Sequence, residues 1–136
     1  MGTLDTVNAL NAAINAQQWD TAAHLLTDDF VFSGATPQPQ NKQAFLASQR
    51  AWFAGVPDWH VAIENPQVDG DVVRSTVHLG GTHTGTLAFP GQPPIPPTGR
   101  RFLTNDSATA TVRGDQVAAI AVVNGSPDVF QQLGVQ

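Results

Sequence analysis

The sequence predicts an α+β fold: three helices in the N-terminal half, then an antiparallel sheet, then one short closing helix. Three observations carry this. Apolar residues recur at three- and four-residue steps before Gly55 and at two-residue steps after Trp59. The dipeptides Asp69-Gly70 and Gly114-Asp115 punctuate the second half as turns. Gly80 to Phe102 holds five of the ten prolines, and proline fixes φ and lacks an N–H, so Pro90 to Pro97 can be neither a central strand nor a helix interior. That segment must be a stiff connection between two antiparallel neighbours.

Each element follows in turn. Leu4, Val7, Leu10 and Ile14 form one stripe of a first helix, opposite Asn8, Asn11 and Asn15, with Thr3 or Thr6 as cap. Asp20 reads as the N-cap of a second, short helix carrying His24, Leu25 and Leu26. Phe30-Val31-Phe32 is a short aromatic strand ending at Ser33-Gly34, and the polar run ATPQPQ is a loop. Asn41 caps a third helix in which Phe45, Gln49, Trp52 and Phe53 share a face, and Gly55 with Pro57 ends it.

From Trp59 onward the period is two. Trp59, Val61 and Ile63 fall on one face and His60, Ala62 and Glu64 on the other. In the next strand Val73, Ser75, Val77 and Leu79 oppose Val72, Arg74, Thr76 and His78. Thr98-Gly99 lets the chain re-enter the sheet, and Phe102, Thr104, Asp106, Ala108, Ala110 and Val112 are then in phase. Val117 to Val123 is almost wholly apolar. Ser126-Pro127-Asp128 starts the closing helix, which Val129, Phe130 and Leu133 would dock and Gly134 would stop. The predicted order is α-α-β-α-β-β-β-β-β-α.

At 136 residues and 41% apolar composition, one domain over 1–136 has room for a real core, and two would each be too small. Only 12% of residues are charged and the net charge is −5, with the six basic residues scattered, so nothing is present to neutralise a row of phosphates. Nucleic-acid and anionic-membrane partners are therefore not expected. There is no cysteine, which removes disulfides and thiolate metal sites. No basic-then-apolar leader and no apolar run of membrane-spanning length is present, so the default location is the cytoplasm.

Asp106 is the most pointed chemical observation. If its strand-phase partners face inward, so does its carboxylate, and desolvation would make it a general acid or base near neutral pH; the alternative is a rim aspartate capping a turn. His83 and His78 can polarise a carbonyl or exchange a proton. For His83 the competing role is a brace for the proline loop, and the face that His78 shares with Arg74 and Thr76 is more often solvent than cavity. Trp52, Phe53 and Trp59 read first as a core cluster, whose rings in a cone interior can also wall a pocket, and with Phe32 and His78 they are the candidate substrate-binding residues. No metal site is expected, because no His-x-x-x-His pattern appears and His60 and Glu64 stand too far apart along a strand to chelate unaided. No nucleophile elbow or phosphate loop occurs.

GTHTGTL (Gly81 to Leu87), PPTGRRF (Pro96 to Phe102) and QQLG (Gln131 to Gly134) together resemble the SnoaL-like polyketide cyclases of the NTF2-like superfamily, in matching order over nearly the whole chain. The resemblance implies a cone-shaped curved sheet closed by helices around an apolar hollow. It also implies cofactor-free intramolecular aldol chemistry driven by an inward carboxylate. In that family an E-H-W string and an acid shortly before QQLG are usual; here Ala118 to Ala121 replaces the string, and the acid's place falls near Asn124 or Gly125. Asparagine cannot abstract a proton, though Asn124 can donate a hydrogen bond to an enolate oxygen.

The expectation is thus a cofactor-independent SnoaL-like enzyme acting on a hydrophobic polycyclic carbonyl compound. Asp106 moves the proton, and His83 and Asn124 orient or stabilise. A non-catalytic binder of a small apolar ligand, or an interaction module, are the other readings. A homodimer is expected under the first two, because Val117 to Val123 is apolar on both faces and one must be covered.

Overall fold

Thirteen residues, Thr3–Asn15, form helix α1, whose buried side, Thr6, Val7, Leu10, Ala13 and Ile14, is the stripe that the three- and four-residue spacing predicts. The computed structural model describes residues 2–34, 38–89, 93–123 and 132–134. The cap of α1 is Gly2 rather than Thr3 or Thr6, with the Asp5 carboxylate accepting from the Gly2 N–H at 3.2 Å. Helix α2 is Trp19–His24. Asp20 lies inside its first turn, where a carboxylate meets the positive end of the helix dipole, and is not the cap. Helix α3, Lys42–Gly55, starts as predicted: the Asn41 side chain accepts from the Ala44 N–H at 2.9 Å.

The strands are β1 (Leu26–Ser33), β2 (Gln40–Asn41), β3 (His60–Asp69), β4 (Val72–Thr82), β5 (Arg101–Leu103), β6 (Asp106–Arg113) and β7 (Gln116–Val123). They form one sheet in the order β2-β1-β7-β6-β4-β3, with β5 paired to β4. The expectation of an all-antiparallel sheet needs correction. β1 pairs with β7 in parallel, with Phe32 opposite Ile120, so the sheet is mixed though mainly antiparallel. A parallel partner must come from far along the chain, and no local pattern in Phe30-Val31-Phe32 announces it. β1 also begins at Leu26, which shortens α2 to end at His24.

Beyond Trp59 the period-two reading holds. β3 and β4 form a hairpin turned at Gly70, whose φ of 61° suits glycine. The proline segment joins β4 to β5, which are antiparallel neighbours as expected, with Gly81 opposite Phe102. β5 and β6 continue one line against β4, since Val77 lies opposite Asp106 in the same register as Gly80 opposite Leu103. Between them the Thr104 side chain takes a ladder position: Thr104 N–H donates to the Leu79 carbonyl at 2.8 Å and Leu79 N–H donates to Thr104 Oγ1 at 3.1 Å.

The helices cover one face of the sheet. The core unites Val7, Leu10 and Ile14 with Phe30, Phe45, Val73, Ala110, Val112 and Val117. Asn15 fastens α1 to the edge strand β3 by donating to the Val61 carbonyl at 2.9 Å and accepting from its N–H at 2.9 Å, which satisfies backbone groups that an edge leaves open. Among the described residues no helix is long and apolar enough to cross a membrane. The closing helix expected from Ser126 lies almost wholly outside the described residues, as does Asn124; among those described, Leu133 is buried at 1% exposure.

Candidate active site

Strand alternation sorts the predicted residues. On the helix-covered face, cross-strand partners bring together Asp106 with Val77, Val77 with Ile63, Leu79 with Val61, and Ala108 with Val122. Asp106 is 5% exposed, so the carboxylate faces the interior as its phase predicts. Around it Ile63, Val77, Leu79, Ala108 and Val122 are only half-buried. A shielded carboxylate therefore sits within a partly open apolar lining. Phe32, opposite Ile120 on the same face, packs on Phe45 at 5.0 Å between centroids.

Four residues before Asp106, about 13 Å along the strand, Phe102 belongs to an aromatic cluster. Trp52 and Trp59 stack with centroids 4.6 Å apart and planes 8° apart, and Phe102 lies 6.0 Å from each. Phe89, from the proline segment, sets its edge on Trp52 at 5.2 Å. The two tryptophans are thus brought together as predicted. Phe53 is not: it turns to the other side of α3 and meets Trp19 edge-on at 5.9 Å, as part of the core. Trp59 is 4% exposed, yet among the described residues its Nε1 has no hydrogen-bond partner. Such an orphaned buried donor costs on the order of 1–3 kcal/mol.

His83 is fully buried at the neck of the proline loop. Its N–H donates to the Arg100 carbonyl at 2.9 Å and its carbonyl accepts from Gly99 at 2.8 Å. Nδ1 lies 3.0 Å from Thr98 Oγ1 and accepts from the Thr98 N–H at 3.3 Å. Burial lowers the imidazole's pKa below its ordinary 6.5, with the Gly85 backbone pulling weakly the other way. His83 is therefore held neutral and bonded to Thr98 through Nδ1, and its Nε2 has no partner among the described residues. The loop beyond it is held close. Leu87 and Ile95 exchange backbone bonds of 3.0 and 2.7 Å, and Gly85 N–H donates to Gly55 at 2.9 Å. A Cβ on Gly85 would lie 2.4 Å from the Ala54 carbonyl oxygen, so glycine is required for that approach.

His78 does not line the interior. It projects from the opposite face, between the Glu64 carboxylate, 3.0 Å from Nε2, and the Thr104 carbonyl, 3.1 Å from Nδ1. Both ring nitrogens meet acceptors, so the imidazolium is favoured: the Thr104 backbone bond first, then Glu64, raises the pKa above 6.5. Its assignment as a pocket residue fails because its neighbours on β4, Val77 and Leu79, occupy the inner positions.

The two histidines set opposite pH dependences on stability. His83 has a depressed folded pKa, so the unfolded chain takes up a proton first and stability falls as pH drops below about 6.5. His78 has a raised one, so its contribution is complete below about 6.5 and is lost as pH rises through the folded value. Urea midpoints between about pH 5 and 8 are expected to lose their acid-side decline in His83→Asn and their alkaline-side decline in His78→Gln. Unchanged slopes in both variants would contradict these environments.

Two of the surface pockets formed by described residues are lined by neither Asp106 nor the aromatic cluster. One, of about 460 Å³, lies where Gln17 to Thr21 meet Arg50; the other, of about 380 Å³, is bounded by Asp28, Asn41, Lys42 and Gln43. The enclosed hollow expected around Asp106 is thus not one of these two. Asp106 has an open apolar surround, and the rings of Trp52, Trp59, Phe89 and Phe102 fill one end of the interior.

The helix-covered mixed sheet, with a buried carboxylate on its inner face, is an NTF2-like fold. The family model for SnoaL-like polyketide cyclases matches residues 4–133, and the chain belongs to that family. IdmH from Streptomyces antibioticus, a candidate polyketide cyclase, is similar at 24% identity and a TM-score of 0.78, over 99% of this chain and 100% of that one. A candidate SnoaL-like polyketide cyclase from Jannaschia sp. CCS1 is similar at 22% identity and a TM-score of 0.78, over 98% and 92%. AclR from Streptomyces galilaeus, a candidate hydroxylase, reaches the same score at 16% identity, over 98% and 82%. Among curated proteins none matches the chain.

Proposed function

We propose that this chain is a cofactor-independent acid/base enzyme that acts on a hydrophobic polycyclic carbonyl compound of the polyketide type. The observation that carries the reading is Asp106, 5% exposed on the inner face and ringed by half-buried aliphatic side chains. Such a setting shields a proton-transfer group while leaving apolar surface for a ligand. Asp106 takes a proton from carbon next to the carbonyl, and a hydrogen-bond donor holds the oxygen as charge develops on it. Asn124 and His83, through Nε2, are the donors that this reading assigns, and Trp52, Trp59 and Phe32 supply apolar walls.

The test is turnover of a panel of aromatic polyketide-type ketones by wild type and Asp106→Asn. Equal rates would discard Asp106. No wild-type turnover, with ligand still bound, would favour a non-catalytic binder on the same scaffold.

The proposal includes a homodimer. Val123 and Leu103 are 70% and 61% exposed, and both point away from the helices together with Val31, Ala119 and Ala121. An uncovered apolar face of this kind favours association. Sedimentation is expected to give a dimer for wild type and a monomer for Val123→Asp; a concentration-independent wild-type monomer would count against it.

A further inference from the structure

Among the described residues nothing accepts from the buried indole N–H of Trp59. Among the described residues, three buried side-chain atoms lack a partner: Thr27 Oγ1, His83 Nε2 and Trp59 Nε1. His83 nevertheless has a structural task through Nδ1 and its backbone; the Trp59 backbone N–H donates to the Val56 carbonyl at 2.8 Å, but its side chain is fixed by packing, stacked on Trp52 and tilted 45° to Phe102. A buried tryptophan normally finds an acceptor for its N–H. A phenylalanine in this place would fill the stack without leaving a donor unsatisfied, so the indole contributes something that the packing does not need.

We propose that Trp59 Nε1–H is a ligand-positioning donor that holds an acceptor oxygen, a carbonyl, of a planar aromatic ligand bound against the Trp52–Trp59 stack. The rings select for flat aromatic surface by stacking, and the N–H selects among flat molecules for those carrying an oxygen acceptor. Trp59 lies on the helix-covered side with Phe102, which shares strand phase with Asp106, so a polycyclic ligand long enough to span about 13 Å of strand could meet both. Phe89 lies against the outer ring of the stack, half-buried, and a ligand entering there displaces it. This inference rests on the proposed ligand class, but binding alone decides it.

The matched probes are 9-fluorenone and fluorene, equal in shape and differing by one carbonyl oxygen. The chain has three tryptophans, so three indole N–H signals are assignable from Trp19→Phe, Trp52→Phe and Trp59→Phe. Wild type is expected to bind the ketone about fivefold more tightly than the hydrocarbon, as one net hydrogen bond allows. The Trp59 indole proton alone should move downfield, with fluorenone and not with fluorene, and Trp59→Phe should bind both probes equally. If Trp59→Phe fails to fold, the wild-type indole signal and the affinity ratio still decide. A ketone preference that survives Trp59→Phe, an unmoved Trp59 signal, or binding of neither probe would overturn the proposal. A ketone preference without any turnover would keep it and remove the catalytic reading instead.

Discussion

Truncating Phe30 to alanine is expected to lower stability by about 3–5 kcal/mol, read from the shift in urea midpoint. Phe30 is 1% exposed and packs on Phe45 at 5.1 Å, so it joins β1 to α3 at the centre of the core. β1 is also the strand that pairs in parallel with β7, a contact between distant parts of the chain that no tight turn can restore. For a domain with ordinary stability of about 5–15 kcal/mol, such a loss is a large share of the total. Val68 on β3 is 51% exposed, and Val68→Ala should stay within about 0.5 kcal/mol. A loss at Phe30 below about 1 kcal/mol would show that α3 is not held through this ring.

Asp106→Asn is expected to reduce kcat by about 10²–10⁴-fold while KM changes little. Asparagine keeps the shape of aspartate and the hydrogen-bonding capacity of its carbonyl, but it cannot accept and return a proton. The apolar lining is untouched, so binding should persist. Ala108, one inner-face position further along β6, lines the same surface without a titratable group, and Ala108→Ser should leave kcat within a small factor. An equal fall at both positions would point to a disturbed strand rather than a lost proton carrier.

The sheet half of the fold was legible because each strand buries one face. That requirement imprinted the alternation from Phe102 to Val112, which put Asp106 in phase with the inward positions and left a rim aspartate as the alternative. The hairpin at Gly70, the cap at Asn41 and the pairing of strands across the proline segment are likewise local events with local signals. The β1–β7 pairing was not legible, because parallel neighbours leave no turn between them to read. Phe53 and Trp52 are adjacent in sequence and both aromatic, so their spacing on α3 could not say which would turn to Trp19 and which to Trp59. His78 was open to both readings until its ladder position set it opposite Val77 and Leu79. For His83 the GTHTG string marked the position, and the bonds to Thr98, Gly99 and Arg100 that hold it come from residues beyond the proline segment, which no local pattern reports. No sequence signal reports that the Trp59 N–H lacks an acceptor, since that depends on what the whole fold fails to bring near it.

Proton exchange at carbon is the most direct measure of the central claim, because it isolates the step assigned to Asp106 from ring closure. A non-cyclising aromatic ketone with enolisable hydrogens, incubated in D₂O with the wild-type protein, should take up deuterium next to the carbonyl faster than in buffer. The same incubation with Asp106→Asn should fall to the buffer rate. Equal incorporation by both proteins, or none above buffer by wild type despite measured binding, would contradict the assignment of Asp106 as the group that moves the proton.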